Sequence, residues 1–252
     1  MKISDVLLLL AAGTLGGIFS TVVSVASLVT YPVLLALGVP PLAANMTNTV
    51  SLVLTGAGSV AGSRPELEGQ ARRVLGFGAI TALGGAAGAA ILLVAPADSF
   101  ALVVPFLIAG SSIVLLVQPI LRKRAEEPEP AREPGLARRA ALFAVAMYVG
   151  YFGAGAGIML LVVLSGMIDE ALVRVNAIKN AVSGAANAMA ALCFAVFGDV
   201  RWKLVVPLAA GFLIGGWIGP AIARRVPVQA FRVVVAACGL GLAAKLGLSA
   251  YG

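Results

Sequence analysis

The sequence predicts an all-α, polytopic membrane protein built from two four-segment repeats. Of its 252 residues, 60% are hydrophobic and only 12% are charged. A soluble protein of this length needs a more charged surface to stay dispersed in water. Eight apolar segments follow one another, and the charged residues cluster between them. The segments span residues 5–37, 42–61, 73–95, 99–121, 137–168, 171–197, 203–223 and 228–248.

Two of these segments, 5–37 and 137–168, are too long for one membrane crossing and too short for two. Small residues interrupt both, and the first also contains Pro32. A membrane helix tolerates such interruptions only where neighbouring protein or a water-filled cavity satisfies the freed backbone groups. We therefore expect each of the two segments to form a broken helix or a re-entrant hairpin.

The two halves of the chain match each other weakly. A shift of 131 residues places Asn45 on Asn176, and a glycine pattern in 84–91 on one in 215–222. We expect an N-terminal transmembrane repeat over 1–121, a proline-containing polar linker over 122–136 and a C-terminal repeat over 137–252. Interrupted segments at matching positions of two repeats are typical of secondary transporters, with the site near the membrane midplane.

The positive residues allow two arrangements of the segments. If every segment crosses once, the loops 62–72 and 122–139 share one side, but Arg224, Arg225 and Arg232 fall on the other. If each long segment enters and returns on one side, all the basic loops become cytoplasmic and the repeats become inverted. The second arrangement fits the positive charge better.

Composition also excludes several functions. The chain has no histidine, which rules out His-bearing zinc sites and Ser-His dyads. Cys193 and Cys238 stand alone in apolar segments, so no metal or cofactor is expected. The net charge of +7 lies in loops without an aromatic-rich polar face, which argues against nucleic acid. No nucleophile, base and metal set is recognisable, so we expect no enzyme.

A polar stripe interrupts the apolar segment 171–197. Asn176, Asn180, Ser183 and Asn187 recur at steps of three and four residues and so share one helix face, with Lys179 on its shoulder. Either Lys179 snorkels toward an interface or it contacts a substrate. For the amides and the hydroxyl, the alternative to substrate contact is hydrogen bonding between helices, worth roughly 0.6 kcal/mol per bond.

The first half has a counterpart in the stretch from Asn45 to Thr49, which opens a helix after Pro40 and Pro41. Amide and hydroxyl groups near a helix N-terminus suit a small oxyanion such as sulfite, a sulfonate or a carboxylate. The candidate contacts in this stretch are Asn45, Thr47, Asn48 and Thr49.

Glycines fall into two groups. Small-xxx-small spacing predicts close helix packing for the first group, which consists of Gly84, Gly85, Gly88, Gly211, Gly215, Gly216 and Gly219. Gly153, Gly155 and Gly157 alternate instead, which fits either packing or an unwound backbone that offers N–H groups to a ligand.

The stretches Gly150–Gly157 (GYFGAGAG) and Ala44–Thr49 (ANMTNT) resemble the TauE/SafE family of sulfite and organosulfonate permeases. The likeness in element order covers nearly the whole chain. Ser24, Ala26 and Ser27 stand where the family has a fuller glycine run, and we count Ser24 and Ser27 among the candidate contacts. The resemblance implies transport, usually export, across a bacterial inner membrane by a multi-pass protein.

The sequence thus predicts a secondary transporter that exports a small sulfur-containing oxyanion or organosulfonate by alternating access. A carrier of another small organic anion and a non-transporting membrane scaffold are the alternatives. The expected partners are the anion and the lipid bilayer; a coupling ion and a homodimer are left open.

Overall fold

The computed structural model describes residues 2–126, 135–223 and 229–251, and within these ranges it contains helices and no strand. This confirms the all-α prediction. The helices are α1 (Ile3–Val23), α2 (Ala26–Ala36), α3 (Pro41–Gly62), α4 (Arg64–Leu67), α5 (Ala71–Val94), α6 (Ala97–Glu126), α7 (Leu136–Tyr151), α8 (Ala156–Ser165), α9 (Leu172–Phe197), α10 (Trp202–Ala223) and α11 (Gln229–Tyr251).

Among the described residues, α1, α5, α6, α9 and α10 are long and apolar enough to cross a membrane. Large apolar side chains such as Leu83, Phe106 and Trp217 are exposed on these helices, as expected where the surrounding solvent is lipid. Helix α3 has similar length but carries buried Asn, Thr and Ser side chains. The protein is therefore a multi-pass membrane protein in which α3 buries polar side chains.

Both long apolar segments are broken, as predicted. The first divides into α1 and α2 at Ser24, and the second into α7 and α8 at residues 152–155. Ser24, Gly153 and Gly155 have φ values of 61°, 77° and 74°, in the left-handed region that a continuing helix cannot use. This is why eight predicted segments give more than eight helices.

Each broken pair is a hairpin that returns to the end from which it entered. Asp5 near the start of α1 lies with Leu37 after α2, next to Arg201. In the second pair, the guanidinium of Arg138 at the start of α7 donates a hydrogen bond to the carbonyl oxygen of Gly166 after α8. These contacts contradict the arrangement in which every segment crosses once.

The two hairpins open at opposite ends of the bundle. The first opens at the end that contains Arg201 and the second at the end that contains Glu170, and α9 runs from the Glu170 end to the Arg201 end. The loop before α5 lies at the Glu170 end, where Gln70 bonds Glu170 at 3.0 Å. The basic residues Arg73 and Arg138 thus share one end with Glu170 and Gly166, and Arg201 lies at the other. Arg224 and Arg225 lie outside the described residues.

The described structure covers only the ends of the predicted linker. Helix α6 continues to Glu126, so residues 122–126 at the start of this stretch are helical. Helix α7 begins at Leu136. Residues 127–134, which include Pro128, Pro130 and Pro134, lie outside the described residues.

The glycine-rich helix of each half packs into the other half. Helix α5 packs against α7 and α9, and α10 packs against α1 and α3. The contacts in the two halves are also equivalent: Gly85 on α5 lies against the carbonyl oxygen of Ala186, and Gly216 on α10 lies against that of Thr55. At all seven glycines predicted to pack, a Cβ would lie less than 3.0 Å from an atom of a neighbouring helix. Their packing role is confirmed.

A small ionic network joins the loops at one end. The Glu170 carboxylate pairs with Arg73 at 2.9 Å and with Arg174 at 3.2 Å. The hydrogen bonds from Gln70 and Arg73 hold the pKa of Glu170 below its ordinary value.

We predict that Gly88→Ala destabilises the protein by about 1–3 kcal/mol, because the added methyl collides with the backbone oxygen of Met147. Gly76→Ala is the matched control on the same helix, since nothing lies within 4 Å of a Cβ there; it should be neutral or slightly stabilising. Thermal unfolding in detergent measures both. Equal effects of the two substitutions would contradict the packing role.

We also predict that the wild type and Glu170→Gln differ in the stability that each loses as the pH falls. Because the folded pKa of Glu170 is lowered, its carboxylate stabilises the fold above the unfolded pKa, and this contribution is lost as pH falls through the folded pKa. The wild type should therefore lose more stability than Glu170→Gln on acidification, by a small amount because the pair is partly exposed. Unfolding midpoints measured against pH test this, with Asp169→Asn as the neighbouring-carboxylate control.

Candidate functional site

A small polar cavity lies where the two helix breaks meet. Its volume is about 50 Å³, room for roughly three or four water molecules. Its walls carry seven hydroxyls, two amides and one charged group. The lining residues are Ser20, Ser24, Ala26, Ser27, Thr49, Leu52, Thr55, Gly56, Ser59, Val149, Phe152, Gly153, Gly157, Lys179, Asn180, Ser183, Gly184 and Asn187.

The charged group is Lys179, whose side chain is only 2% exposed. Its Nζ donates a hydrogen bond to the Ser24 hydroxyl at 2.7 Å. The ion pairs among the described residues do not include it. Lys179 therefore points into the protein rather than snorkelling to a surface, and its charge has no counter-charge on the described cavity wall. Such a group favours an anionic ligand, since an unpaired buried charge is costly.

The two breaks touch at this cavity. A Cβ added at Gly157 would lie 2.5 Å from the Ser24 Cβ and Oγ, so the glycine allows the two hairpins to approach. Helices α2 and α8 both begin here, and Ala26 and Gly157 line the wall. None of the described hydrogen bonds uses the backbone N–H of either residue. Helix N-termini carry partial positive charge, so both favour an anion in the cavity.

Two further buried polar atoms, on residues that line the cavity, have no hydrogen-bond partner among the described residues. They are Asn180 Nδ2 and Thr55 Oγ1, on residues that are 8% and 4% exposed. A buried donor left unpaired costs about 1–3 kcal/mol, and most buried polar groups in proteins are paired. Both atoms are therefore available to a ligand oxygen.

The family model for the sulfite exporter TauE/SafE matches residues 9–246. The chain belongs to this family. A probable membrane transporter protein, ORF9 of Sinorhizobium sp, is 21% identical to it over 239 residues, which cover 94% of this chain and 90% of the relative. No solved structure gives a significant match. The predicted resemblance and the membrane transport class are thereby confirmed.

Eight of the predicted contacts line the cavity of this TauE/SafE protein. They are Ser24, Ser27, Thr49, Gly153, Gly157, Lys179, Asn180 and Ser183. Asn187, the last member of the polar stripe, lines it as well. The stripe on α9 and the two breaks thus come together, because α9 packs against α3, α7 and α8 and Lys179 reaches Ser24 at the first break.

The remaining predicted contacts lie elsewhere, and two of them have equivalent roles. Asn45 Nδ2 donates to the carbonyl oxygen of Tyr151, the last residue of α7, at 2.9 Å. Asn176 Nδ2 donates to the Thr21 carbonyl in the last turn of α1, at 3.4 Å. Each asparagine donates a hydrogen bond to a backbone carbonyl at the helix end that a break in the other half creates. Backbone polar groups inside a membrane need such partners.

The other three residues also have structural contacts. Asn48 accepts a hydrogen bond from Thr30 at 2.6 Å and donates one to Ser27 at 3.1 Å. Thr47 accepts the Arg201 backbone N–H at 3.0 Å. Gly155 lies beside Ser111, since a Cβ added at Gly155 would lie 3.6 Å from the Ser111 backbone. They support the walls of the site without lining it.

Sequence reasoning missed three hydroxyls in the lining, those of Ser20, Thr55 and Ser59. The spacing contained a signal for them. Ser20 precedes Ser24 by four residues, and Thr55 precedes Ser59 by four, so each pair shares one helix face. These hydroxyls extend the polar wall of the cavity along α1 and α3.

We predict that Gly157→Ala destabilises the protein by about 1–3 kcal/mol, because the methyl would overlap the Ser24 side chain. The double variant Ser24→Gly/Gly157→Ala should recover most of this loss, since it removes the colliding atoms. Thermal unfolding measures both, and Gly166→Ala on the same hairpin, whose Cβ would have only ordinary contacts, serves as the control. Additive losses in the double variant would show that the breaks do not meet here.

Proposed function

We propose that this protein is a secondary transporter that exports a small sulfur-containing oxyanion or organosulfonate by alternating access. The observation that carries the proposal is Lys179, a buried cation without a described counter-charge, at a polar cavity between two helix breaks. The family's description as a sulfite exporter supports the substrate class and the direction. We propose a bacterial inner membrane as its location, which the similarity to a Sinorhizobium membrane transporter protein supports.

The cavity chemistry supports an oxyanion. The ammonium of Lys179, the free amide of Asn180 and the free hydroxyl of Thr55 are all donors. Together with two helix N-termini they surround the cavity with positive potential. Its volume of about 50 Å³ suits sulfite or a single sulfonate head group better than a large organic anion.

The proposed mechanism uses the two halves as inverted repeats, 1–121 and 137–252, joined by the linker 122–136. Two hairpins that open at opposite ends would each line one access path to the same cavity. The contact between Ser24 and Gly157, which joins the two breaks, would then be remade as the halves rock.

We predict that Lys179→Met lowers anion affinity and transport about ten- to hundredfold, because a charge-assisted hydrogen bond is lost. Efflux of radiolabelled sulfite from proteoliposomes measures this, with the exposed Lys203→Met as the control. Asn180→Ala should have a smaller effect, about fivefold. Wild-type activity in Lys179→Met would remove the site from the transport path.

Thermal stability separates the transporter from the scaffold. Removing an unpaired buried charge should leave stability unchanged or raise it, whereas a scaffold lysine that fixes helix contacts would be destabilising to remove. Sulfite, sulfonates, thiosulfate, sulfate and simple carboxylates should be screened on the purified protein, since a bound anion raises stability by mass action. Stabilisation by carboxylates alone would favour the organic-anion alternative.

A further inference from the structure

We propose that Lys179 is also the proton-coupling site, so that the protein moves one proton together with each anion. This inference rests on the proposed transport function and adds the coupling ion. It begins from the same contact, in which Lys179 Nζ lies 2.7 Å from Ser24 Oγ in a nearly closed setting.

The hydroxyl of Ser24 can form a hydrogen bond with the Lys179 amine in either protonation state of the amine. A serine hydroxyl can accept a hydrogen bond from an ammonium, or it can rotate and donate one to a neutral amine. A carboxylate partner would instead hold the lysine in its charged form. With Ser24 as the partner, the amine can lose its proton while the cavity is empty and still keep its hydrogen bond.

The anion supplies the missing counter-charge. In the empty cavity the ammonium is an unpaired buried charge, which is unfavourable. When a monoanion enters, the amine lone pair takes up one proton and the ammonium pairs with the anion without a covalent bond. On release the anion leaves and the amine returns the proton. By linkage, anion and proton each raise the affinity for the other by the same factor.

No other group on the cavity wall can take this role. Among the eighteen lining residues, Lys179 is the one titratable side chain. On the helices packed around it, the Tyr148 hydroxyl bonds Ser111 and Ala154, and Arg174 bonds Glu170. The other described charged or titratable groups on α1, α4, α5, α7 and α9 lie outside the lining; they are Asp5, Arg64, Glu66, Arg72, Arg73, Arg138, Arg139, Tyr151 and Cys193.

A metal-ion coupling site has less support. The lining contains no carboxylate, and the described residues contain no cluster of His, Cys, Asp or Glu that could hold a metal ion. A cation such as sodium would also be repelled by the charged form of Lys179. A proton is the one coupling ion that this lysine binds directly.

The position of Lys179 connects its protonation to the moving parts. Its hydrogen-bond partner Ser24 stands at the first break and contacts Gly157 at the second. The proton and the anion therefore act on the contact that joins the two hairpins. Because the loaded pair carries no net charge with a monoanion, its transport should respond to a pH gradient and not to a membrane potential. Export then runs down the concentration gradient of the anion, and an acidic exterior favours uptake.

The binding test uses methanesulfonate and thiosulfate, which exchange no proton of their own near neutral pH, beside sulfite. Calorimetry of the wild type in buffers of different ionisation enthalpy should show uptake of about one proton per anion. Above the titration of the amine, affinity should fall about tenfold per pH unit. The matched variant is Lys179→Arg, which keeps a cation at every pH; it should bind without proton uptake and with less than a twofold change per pH unit.

The transport test uses proteoliposomes. Wild-type protein should catalyse both anion exchange and net methanesulfonate uptake, the latter accelerated by an acidic exterior and unaffected by a potassium diffusion potential. Lys179→Arg should retain exchange and lose the net, pH-driven uptake. The unfolding midpoint of Lys179→Arg shows whether this variant is folded. If it is unfolded, the number of protons that the wild type takes up per bound anion tests the proposal without it.

Three results would overturn the coupling proposal. They are anion binding by the wild type without proton uptake, pH-driven uptake by Lys179→Arg equal to the wild type, and binding restricted to sulfite, whose own proton would then suffice. Net anion uptake by the wild type without proton movement would overturn only the coupling. Absence of any anion flux in the wild type would overturn the proposed function as well.

Discussion

The structure depends on a buried lysine whose described partner is a serine hydroxyl. Lys179 reaches Ser24 at the point where α1 stops and α2 begins, and the second break presses Gly157 against the same serine. An uncompensated charge in a membrane interior costs several kcal/mol, far more than the roughly 0.6 kcal/mol of an interhelical hydrogen bond. The two breaks and the polar walls of the cavity form the surroundings of this one buried amine.

The two halves complete each other. A break in a membrane helix exposes backbone carbonyls, and here the asparagine that satisfies them comes from the opposite half in both cases, Asn45 for α7 and Asn176 for α1. The glycines of α5 and α10 likewise pack into the opposite half. Without a hydrophobic force between helices in lipid, close packing and hydrogen bonds must supply the cohesion. The residues that hold the halves together therefore surround the cavity instead of filling it.

This division explains why polar residues of one type have different roles. Asn176 and Asn180 lie one helical turn apart on α9, yet the first satisfies a helix end and the second leaves Nδ2 free at the cavity. Thr47 and Thr55 on α3 differ in the same way, since one accepts a backbone N–H and the other keeps an unpaired hydroxyl. The unpaired member of each pair belongs to the candidate site.

The sequence by itself determined the membrane class and the two interrupted segments, and it singled out Lys179 as a candidate, because composition, segment length and an isolated charge in an apolar run are local properties. It also determined the packing glycines, whose spacing is local too. Only the tertiary structure decided that Asn45 and Asn176 turn to helix ends while Thr55 and Ser59 line the cavity. Helical periodicity shows that residues share a face, but the neighbour opposite that face is set by helices distant in sequence.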